Sequence, residues 1–435
     1  MPLNVLIVGA GICGPALATL LRRSDPENKI TIIERYPGVR HNGLQIDLRA
    51  WGVPIIKRLG LIDAVKEKCV HENGITFVNS KGKEYGMFGT AGSGTGQQSF
   101  TSDFEILRGD LSEILYDASL NNLDTKEGGK KVQKDATKTE DGPVKYLFGT
   151  TVKRLDQDEK GVDVTFSDGQ TRRYDVVVGA DGQWSRTRRM MFGEEAGLGM
   201  FKRLKVYVAY FTIPKDPEDG DLARYYHAGN GRGVAMRSAD RPFTQVYMMV
   251  RTDSEEVRQG IERQSVQEQK DTFEKIFRGC GWMMDRFLKG MAESADFYAD
   301  SIGQVKAPHV VKGRIALLGD AGYCAAPVTG MGTTVSLMGA WTLAGELARH
   351  KDDVPTALDA YDARIRPYIN EAHKLMPGIP WVMTLESSWG IAIFHIIVSL
   401  FSFFRIDKLL MRLMPEEKGG IPVPDYPELK GVYST

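Results

Sequence analysis

Apolar and polar positions near the start of the chain form a strand–turn–helix–strand pattern. Residues 5–8 are an uninterrupted apolar run, which is typical of a parallel strand buried on both faces. Three glycines follow, then a helical apolar pattern over 16–21, and a second apolar strand over 30–33 that ends at Glu34. This length, about 30 residues, is that of one βαβ unit. The pattern therefore predicts an α/β fold.

The middle of the chain changes to alternating apolar and polar positions. Residues 206–211 and 245–250 alternate, which predicts an antiparallel sheet with one face covered. A buried strand returns over 313–318 and precedes a long Gly-rich helix start. We therefore predict a discontinuous first domain with a sheet domain inserted in it. The predicted ranges are 1–72, 101–185 and 296–375 for the first domain, 73–100 and 186–295 for the sheet domain, and 376–435 for a C-terminal helical segment.

Two segments depart from these patterns. Residues 121–145 are polar and rich in charge, which predicts a solvated loop inserted after a helix over 110–120. Residues 391–404 are almost entirely apolar but shorter than the roughly 20 residues that span a bilayer. Two interpretations stay open for this segment: a helix packed on the protein or lining a ligand site, and shallow membrane contact helped by Arg405, Lys408 and Arg412.

Composition narrows the classes of function. The 435 residues are 42% apolar, enough for two or three globular domains. Lys plus Arg equals Asp plus Glu at 56 each, which argues against nucleic-acid binding because that needs a basic surface. Four cysteines without a C-x-x-C pair, and a strand instead of a signal peptide at the N terminus, indicate a reducing, cytoplasmic location. We expect no metal site, because no His, Asp or Glu cluster has ligand spacing.

The early glycines fit the phosphate-binding pattern G-x-G-x-x-G. Gly9 permits a tight turn, Gly11 lets the backbone approach a pyrophosphate, and Gly14 lets the helix pack closely on the strand. Glu34 lies 20 residues beyond Gly14, at the end of the next strand, where an acid accepts hydrogen bonds from ribose hydroxyls. A Gly-rich turn without a ligand is the alternative. The pattern predicts a Rossmann-like dinucleotide site but does not separate FAD from NAD.

Three later segments resemble the fingerprints of the FAD-dependent aromatic hydroxylases, the group A flavoprotein monooxygenases. Residues 175–188 resemble their Asp-Gly motif, and 313–322, with a proline and two glycines following, resemble their Gly-Asp motif. Residues 361–367 resemble their Tyr-x-x-x-Arg-x-Pro segment. With the N-terminal glycines, four motifs stand in family order over roughly residues 3–370. Residues 43–48 and 60–61 are most similar to the tetracycline-inactivating and polyketide-tailoring monooxygenases.

The resemblance implies a Rossmann-like FAD-binding domain with an inserted antiparallel-sheet substrate domain. Arg108 would reach the ribityl–phosphate region, Asp320 would accept a ribityl hydroxyl, and Asp181 would be mainly structural. The alternatives are a surface helix-start arginine for Arg108, a helix cap for Asp320 and a turn residue for Asp47. Thr334 stands where many members have asparagine. The full set of implied FAD contacts is Gly9, Gly11, Gly14, Glu34, Arg35, Asp47, Arg108, Asp181, Asp320, Pro327, Gly330 and Gly332.

The same resemblance implies a monooxygenase that uses NADPH or NADH and O2 to hydroxylate an aromatic or polyketide-like molecule through a flavin hydroperoxide. The substrate would lie between the flavin and the middle sheet. An FAD-dependent reductase of an isoprenoid-type substrate and a non-catalytic FAD- or NAD-binding protein are the alternatives. Candidate catalytic residues are His227, Tyr226 and Arg237. Candidate substrate contacts are Arg224, Tyr226, His227, Met236, Arg237, Tyr247, Met249 and Pro327.

Overall fold

The computed structural model describes residues 1–40, 43, 45–89, 104–120, 142, 144–262, 264–376, 378–406 and 420–429. Most of the predicted loop over 121–145 lies outside these residues. Its end does not form a loop, because Val144 and Lys145 begin a strand. The strands are β1 (Asn4–Val8), β2 (Lys29–Glu34), β3 (Gln45–Asp47), β4 (Gly74–Val78), β5 (Glu84–Gly89), β6 (Glu105–Leu107), β7 (Val144–Phe148), β8 (Val152–Gln157), β9 (Val162–Phe166), β10 (Thr171–Tyr174), β11 (Val176–Gly179), β12 (Phe201–Pro214), β13 (Ala223–Gly229), β14 (Arg232–Arg237), β15 (Phe243–Arg251), β16 (Tyr298–Val305), β17 (Val311–Lys312) and β18 (Ile315–Leu317).

Helices separate these strands, and three short 3-10 turns cover Pro217–Asp219, Pro327–Thr329 and Pro427–Leu429. The helices are α1 (Cys13–Ser24), α2 (Gly52–Arg58), α3 (Ile62–Lys68), α4 (Arg108–Leu120), α5 (Arg186–Phe192), α6 (Glu194–Gly199), α7 (Glu255–Ile261), α8 (Val266–Phe277), α9 (Met284–Glu293), α10 (Asp320–Tyr323), α11 (Gly332–Arg349), α12 (Val354–Ala372), α13 (Ile379–Met383) and α14 (Ser388–Phe403).

A six-stranded sheet forms the Rossmann-like part of the fold, in the order β17-β18-β11-β1-β2-β7. The pairs β1–β2, β1–β11, β11–β18 and β2–β7 are all parallel. The central position of β1 explains its run of buried apolar residues, because helices and loops cover both faces of a parallel sheet. One hydrophobic cluster joins this sheet to α1, α11, α12 and the three-stranded sheet β8–β10. The α/β fold expected from the sequence is therefore confirmed.

A seven-stranded sheet forms the second part, in the order β16-β12-β15-β14-β13-β4-β5. Neighbours are antiparallel except β13 and β4. Helices α7, α8 and α9 cover one face, where their apolar side chains form a cluster with alternate residues of β12, β14 and β15. The other face packs on the turn at 326–328 and on α13 and α14. The sheet therefore lies between three helices on one side and the Rossmann-like part on the other.

Two elements adjoin the predicted boundaries of the sheet domain at residues 186 and 295. Helix α5 lies within the predicted range 186–295 but contacts β8 and β18 of the first domain. The Arg188 guanidinium fixes it there by donating to the carbonyls of Gln183, Gly197 and Ala321 at 2.7–2.9 Å. Strand β16 lies within the predicted range 296–375 but pairs with β12 along its length. An apolar pattern predicts a strand or helix without showing which sheet it joins.

The end of the described chain returns to the first domain. In residues 420–429, here called the tail segment, the Tyr426 side chain is fully buried and donates to Glu346 at 2.7 Å. A Cβ on Gly345 would lie 2.3 Å from the Tyr426 ring, so α11 needs glycine at this position. The indoles of Trp51 and Trp341 donate to tail-segment carbonyls at 2.7 and 2.9 Å. The tail segment thus belongs to the same core as β1 and α1.

Helix α14 contacts β5 and β13 at the edge of the seven-stranded sheet. It includes most of the apolar segment 391–404, which therefore forms a helix packed on the protein. No helix among the described residues combines the length and apolar character needed to cross a membrane.

Candidate active site

The N-terminal glycines lie where β1, α1 and β11 meet. Gly9 has φ +118°, and a Cβ on it would lie 2.4 Å from the Ala180 carbonyl oxygen. A Cβ on Gly14 would lie 2.2 Å from the Gly9 carbonyl oxygen. Both distances are far below contact, so only glycine lets the strand end and the helix start approach this closely.

Arg108 lies over the Gly11 position of the same turn. A Cβ on Gly11 would contact only the Arg108 Nη2 atom, at 3.4 Å. Burial lowers the pKa of Arg108 and nearby Arg40 lowers it further, whereas Tyr298 and Asp320 raise it. A half-buried guanidinium above an open glycine backbone is suited to an anion, because its planar fork meets phosphate bidentately. This arrangement fits the pyrophosphate and ribityl region of FAD.

Asp320 begins α10 directly after β18, beside Arg108. The turn before Asp320 needs glycine at position 319. Gly319 has φ +63°, and a Cβ there would lie 2.9 Å from both Cys13 Sγ and Ser336 Oγ. Burial raises the pKa of Asp320, and the Arg108 charge lowers it. The turn therefore holds a half-buried carboxylate between α1 and α11, where it can accept a hydrogen bond from a cofactor hydroxyl.

Glu34 lies at the edge of the glycine turn. Its carboxylate accepts hydrogen bonds from the backbone N–H groups of Ala10 at 3.0 Å and Tyr36 at 3.1 Å. These bonds fix the carboxylate beside the turn, as the ribose contact requires. Arg35 is exposed and donates to the Tyr36 hydroxyl at 3.2 Å.

Asp181 stabilises the start of α5. Its carboxylate accepts from Ser185 Oγ at 2.5 Å and from the backbone N–H groups of Arg186 and Thr187 at 2.8 and 3.0 Å. These bonds cap a helix, so the geometry is that of a structural residue.

The turn before α11 brings three predicted cofactor residues together. Pro327 is exposed, and Gly330 has φ +65°. A Cβ on Gly332 would meet no atom within 4 Å. The space beside Gly332 at the start of this 18-residue helix is therefore open, and the first amides of a helix have no partner inside it. They are suited to bind negative charge at the edge of a flavin ring.

Asp47 reaches this turn through Arg49. The two side chains form an ion pair. The Arg49 guanidinium lies beside Gly330, because a Cβ on Gly330 would be 3.4 Å from the Arg49 Cζ atom. Asp47 Oδ1 and Arg49 Nε are buried without a hydrogen-bond partner among the described residues. One is an acceptor and the other a donor, which fits a flavin edge that carries both an N–H and carbonyl groups. Thr334 Oγ1 donates to the Arg49 carbonyl at 2.9 Å, so threonine holds this loop.

One face of the seven-stranded sheet lies opposite the turn. A row across the strands pairs Tyr225 with Ala235, Ala235 with Tyr247, Tyr247 with Tyr210, and Tyr210 with Tyr298. We call this side of the sheet the tyrosine face. The Tyr210 ring meets the Tyr247 ring edge-on at 5.2 Å and stacks with the Tyr298 ring at 6.2 Å.

The turn and the tyrosine face are in direct contact. Ala326 and Val328 belong to one apolar cluster with Tyr210 and Met249. Met249 lies two residues after Tyr247 on β15 and therefore on the same face of the sheet. It also belongs to the apolar cluster under α14. Tyr247 and Met249, both predicted substrate contacts, are therefore on the side of the cofactor turn.

Three predicted substrate contacts lie on the opposite face. The Tyr226 hydroxyl donates to the Cys280 carbonyl at 2.5 Å, beside α8 and α9. Met236 is fully buried in the cluster beneath the helices, and Arg224 donates to the Asp219 carbonyl at 2.5 Å. The structure does not bring these three residues to the cofactor turn, because neighbouring residues of a strand point to opposite faces.

His227 lies on the tyrosine face beneath α13 and α14. Its Nε2 atom is 2.8 Å from the Val382 carbonyl oxygen, which fixes it as a donor, and its ring stacks on Phe77 at 6.2 Å. Burial lowers the pKa of His227 to about 4, so the imidazole is neutral at neutral pH. Nδ1 has no hydrogen-bond partner among the described residues and is free to accept one.

Arg237 is held by two buried acids. It donates to Glu72 at 2.5–3.1 Å and to Glu105 Oε2 at 2.7 Å. Burial raises the pKa of Glu105 to about 7, although Arg237 opposes this effect. Burial lowers the pKa of Arg237, but the charges of Glu105 and Glu72 raise it by more. The net pKa is therefore well above its ordinary value. The arginine is therefore committed to an ion triad.

Amide side chains link this triad to the tyrosine face. Gln45 donates to Glu105 Oε2 at 2.6 Å, and Gln245 donates to Gln45 at 3.3 Å. The Tyr247 hydroxyl donates to Gln245 at 2.7 Å. Burial raises the pKa of Tyr247 to about 12, so this phenol stays protonated. The position and orientation of Tyr247 therefore depend on a chain of buried polar groups.

Sequence reasoning missed Arg49, Glu72, Glu105 and Gln45. Arg49 has a local signal, because it lies two residues after Asp47 and can reach the same side. Glu72 and Glu105 have none, because their partner Arg237 is more than 130 residues away.

Comparison with known proteins agrees with this geometry. The family described as FAD binding domain matches residues 2–375. The FAD-dependent monooxygenase asL6 of Sarocladium schorii is 38% identical over 434 residues, with 99% of each chain covered. Monooxygenase CTB7 of Cercospora beticola is 32% identical over 433 residues, with 97% of each covered.

Solved structures show the same fold. The tetracycline destructase Tet(51) superposes with a TM-score of 0.74 at 27% identity, covering 98% of this chain and 100% of that one. HpxO of Klebsiella pneumoniae, solved with FAD and uric acid, has a TM-score of 0.65 at 18% identity and covers 94% of this chain and 96% of that one. The chain therefore belongs to the FAD-binding family of flavoprotein monooxygenases and is an FAD-dependent oxidoreductase.

Proposed function

We propose that this monooxygenase uses NADPH or NADH and O2 to hydroxylate an aromatic or polyketide-like small molecule where the Pro327 turn meets the tyrosine face. The observation that carries the proposal is their direct contact through Ala326, Val328 and Tyr210. The α11 amides next to this junction would hold the edge of the flavin ring. Bound FAD, once reduced, supplies the oxygen-activating chemistry.

On the cofactor side, this chain supplies binding and charge. Arg108 neutralises phosphate, Asp320 and Glu34 accept from hydroxyl groups, and the α11 amides hold negative charge on the ring. Asp47 and Arg49 satisfy polar groups at the same edge. Because all these groups are fixed by packing before the cofactor binds, little reorganisation is needed.

On the substrate side, the tyrosine face suits a flat aromatic molecule. Tyr210 and Tyr247 offer ring edges and faces, which favour stacked or edge-on aromatic contacts. Tyr247, oriented by Gln245, offers a hydroxyl to a polar substituent. The relatives support this class, since one solved neighbour is a tetracycline destructase and another was solved with uric acid.

Of the candidate catalytic residues, two remain on this side. His227 offers Nδ1 as an acceptor for a phenolic proton, although its low pKa makes it a weak base. Arg237 acts on Tyr247 through the buried amides, as a positioning residue. Tyr226 lies beneath α8 and α9 and is left out of the proposed site.

An isoprenoid reductase would need the apolar segment 391–404 to line a tunnel. Ile393, Ile396 and Leu400 are 47–60% exposed and therefore point to solvent instead. The apolar segment 391–404 therefore does not support an isoprenoid reductase.

The test starts with the purified protein and its visible absorption. We expect a flavin spectrum, and NADPH oxidation under air that accelerates with one or more phenolic polyketides. The product should gain one oxygen atom from heavy-isotope O2. Arg108→Ala should weaken FAD binding by about tenfold or more, the value of a lost charge-assisted phosphate contact. Arg154→Ala, at an exposed arginine on β8, is the matched control and should bind FAD normally.

Two results would overturn the proposal at different levels. Oxidation of NADPH with FAD bound, but with no stimulation and no oxygenated product across the panel, would exclude this substrate class. A colourless protein that takes up no added FAD would exclude the cofactor site itself.

A further inference from the structure

Exposed apolar side chains are concentrated at the C-terminal end of the described chain. Eleven of the fifteen large apolar residues that are exposed lie between 376 and 404. The spacing of those on α14 follows the helical repeat, so they share one side of the helix. We define the α14 outer face as Trp389, Ile393, Ile396, Ile397, Leu400, Phe401, Phe403 and Phe404, which are 39–80% exposed.

The polarity of α14 is inverted relative to an ordinary surface helix. Two of its polar residues point inward: the His395 ring stacks on Tyr85 at 4.2 Å, and Ser402 exchanges hydrogen bonds with the Met87 backbone at 2.9 and 3.1 Å. No charged residue occurs between Glu386 and Arg405. A soluble helix normally presents charged residues to water, and one that is apolar all round is normally buried. The outer face is therefore built to be covered.

Cations and an indole lie near α14. Arg251 lies 5.9 Å from the Trp381 ring and is ion-paired with Glu386, which precedes the helix by two residues. Lys83 lies 5.3 Å from the Tyr85 ring that stacks on α14, and Arg405 follows the helix end. Tryptophans and basic residues at the border of an apolar surface are typical of helices in the membrane interface.

We propose that the α14 outer face binds the surface of a bilayer containing anionic lipids, with the helix lying in the membrane plane. The 16 residues of α14 are about 24 Å long, too short to span a bilayer. Contacts with β5 and β13 keep the helix against the sheet. Its inner residue Phe394 contacts His227 at 4.9 Å between ring centroids, so the tyrosine face lies just behind the membrane-bound helix. This inference goes beyond the proposed reaction, because the surface would bind lipid whatever the substrate.

The experiment is co-sedimentation of the full-length protein, loaded with FAD, with phosphatidylcholine vesicles containing one-third phosphatidylserine. We expect wild-type protein to bind, more weakly when phosphatidylserine is left out or salt is raised. The double variant Ile396→Asp/Leu400→Asp should lower the partition coefficient by at least about tenfold, because two buried apolar side chains are replaced by anions. Val266→Asp, at an apolar residue 52% exposed at the start of α8, is the matched control and should bind like wild type.

Two further measurements keep the outcome independent of folding. Phe403→Ser changes a side chain that is 80% exposed, and its binding should also fall. Wild-type tryptophan fluorescence should shift to the blue on vesicle addition, and Trp389→Phe should reduce that shift while binding persists. Flavin absorption and NADPH oxidation in the variants report the reaction separately, so a failed reaction leaves the lipid result readable.

The proposal is overturned if wild-type protein fails to bind anionic vesicles, or if the double variant binds as well as wild type. It is also overturned if ultracentrifugation without lipid shows a dimer that the double variant abolishes, because the face would then be covered by a second copy.

Discussion

The buried ion triad makes a sharp prediction about stability and pH. Glu105 is 4% exposed and hydrogen-bonded to Gln45 and Arg237. Burial raises its pKa from 4.5 to about 7. Between these two pH values the folded chain binds a proton that the unfolded chain releases, so the free energy of unfolding falls as pH rises. Glu105→Gln removes this titration and preserves the size and the bond from Gln45.

The magnitude follows from the two pKa values. The pKa of Glu105 changes from 4.5 in the unfolded chain to about 7 in the folded chain. At about 1.36 kcal/mol per pKa unit, this change contributes about 3 kcal/mol to the free energy of unfolding. This stabilisation is fully present below pH 4.5 and is lost as the pH reaches the folded-state pKa. The stability of wild type minus that of the variant should therefore fall by about 3 kcal/mol between pH 4.5 and 8.

Urea unfolding followed by tryptophan fluorescence at several pH values, with free FAD at one fixed excess, measures this difference. Buried histidines also titrate in this range. His227, whose pKa burial lowers to about 4, favours folding as pH rises. Because both proteins contain it, the difference curve isolates Glu105. Glu67→Gln, at an exposed position on α3, makes the same chemical change away from the triad and is the control.

A flat difference curve for Glu105→Gln would refute the reasoning, since it would mean that Glu105 has the same pKa in both states. A curve that rises with pH would mean that Arg237 outweighs burial and holds the carboxylate ionised.

Three further predictions concern the fold and the site. Gly9→Ala should give no flavin-loaded protein by visible absorption, because its Cβ would lie 2.4 Å from the Ala180 oxygen. Gly149→Ala is the control for the effect of a positive φ without a steric clash, since Gly149 has φ +66° and no atom within 4 Å of its Cβ position. Arg188→Met should cost about 3 to 5 kcal/mol in urea unfolding, because three carbonyls lose their buried partner. Tyr247→Phe should raise KM for the aromatic substrate by about tenfold, through loss of one hydrogen bond, and leave FAD affinity unchanged in a titration.

Local features of the fold could be predicted from the sequence. The glycine turn, α1 and β2 depend on residues within about 30 positions of each other, and their patterns specify strand, turn and helix directly. The Gly9 and Gly14 contacts are of this kind, because φ and close approach exclude other residues.

The sidedness of the middle sheet could not be predicted in this way. Alternation shows that Tyr225 and Tyr226 point to opposite faces, but not which face meets the cofactor. That choice depends on where α7–α9 and the 326–328 turn pack. The partners of Arg237 were equally hidden, because Glu72 and Glu105 meet it only after three distant segments come together.

The strand order of the six-stranded sheet determines when a newly synthesised chain can finish folding. Strand β1 emerges first, but its neighbour β11 begins at residue 176, and β18 adds to β11 only at residue 315. At about 5 to 20 residues per second, a ribosome needs roughly 15 to 60 s between β1 and β18. The seven-stranded sheet is complete by residue 305, before the sheet that began the chain. The tail segment with Tyr426 follows more than 100 residues after β18, so we expect the first domain to acquire its FAD only after residues 420–429 have emerged.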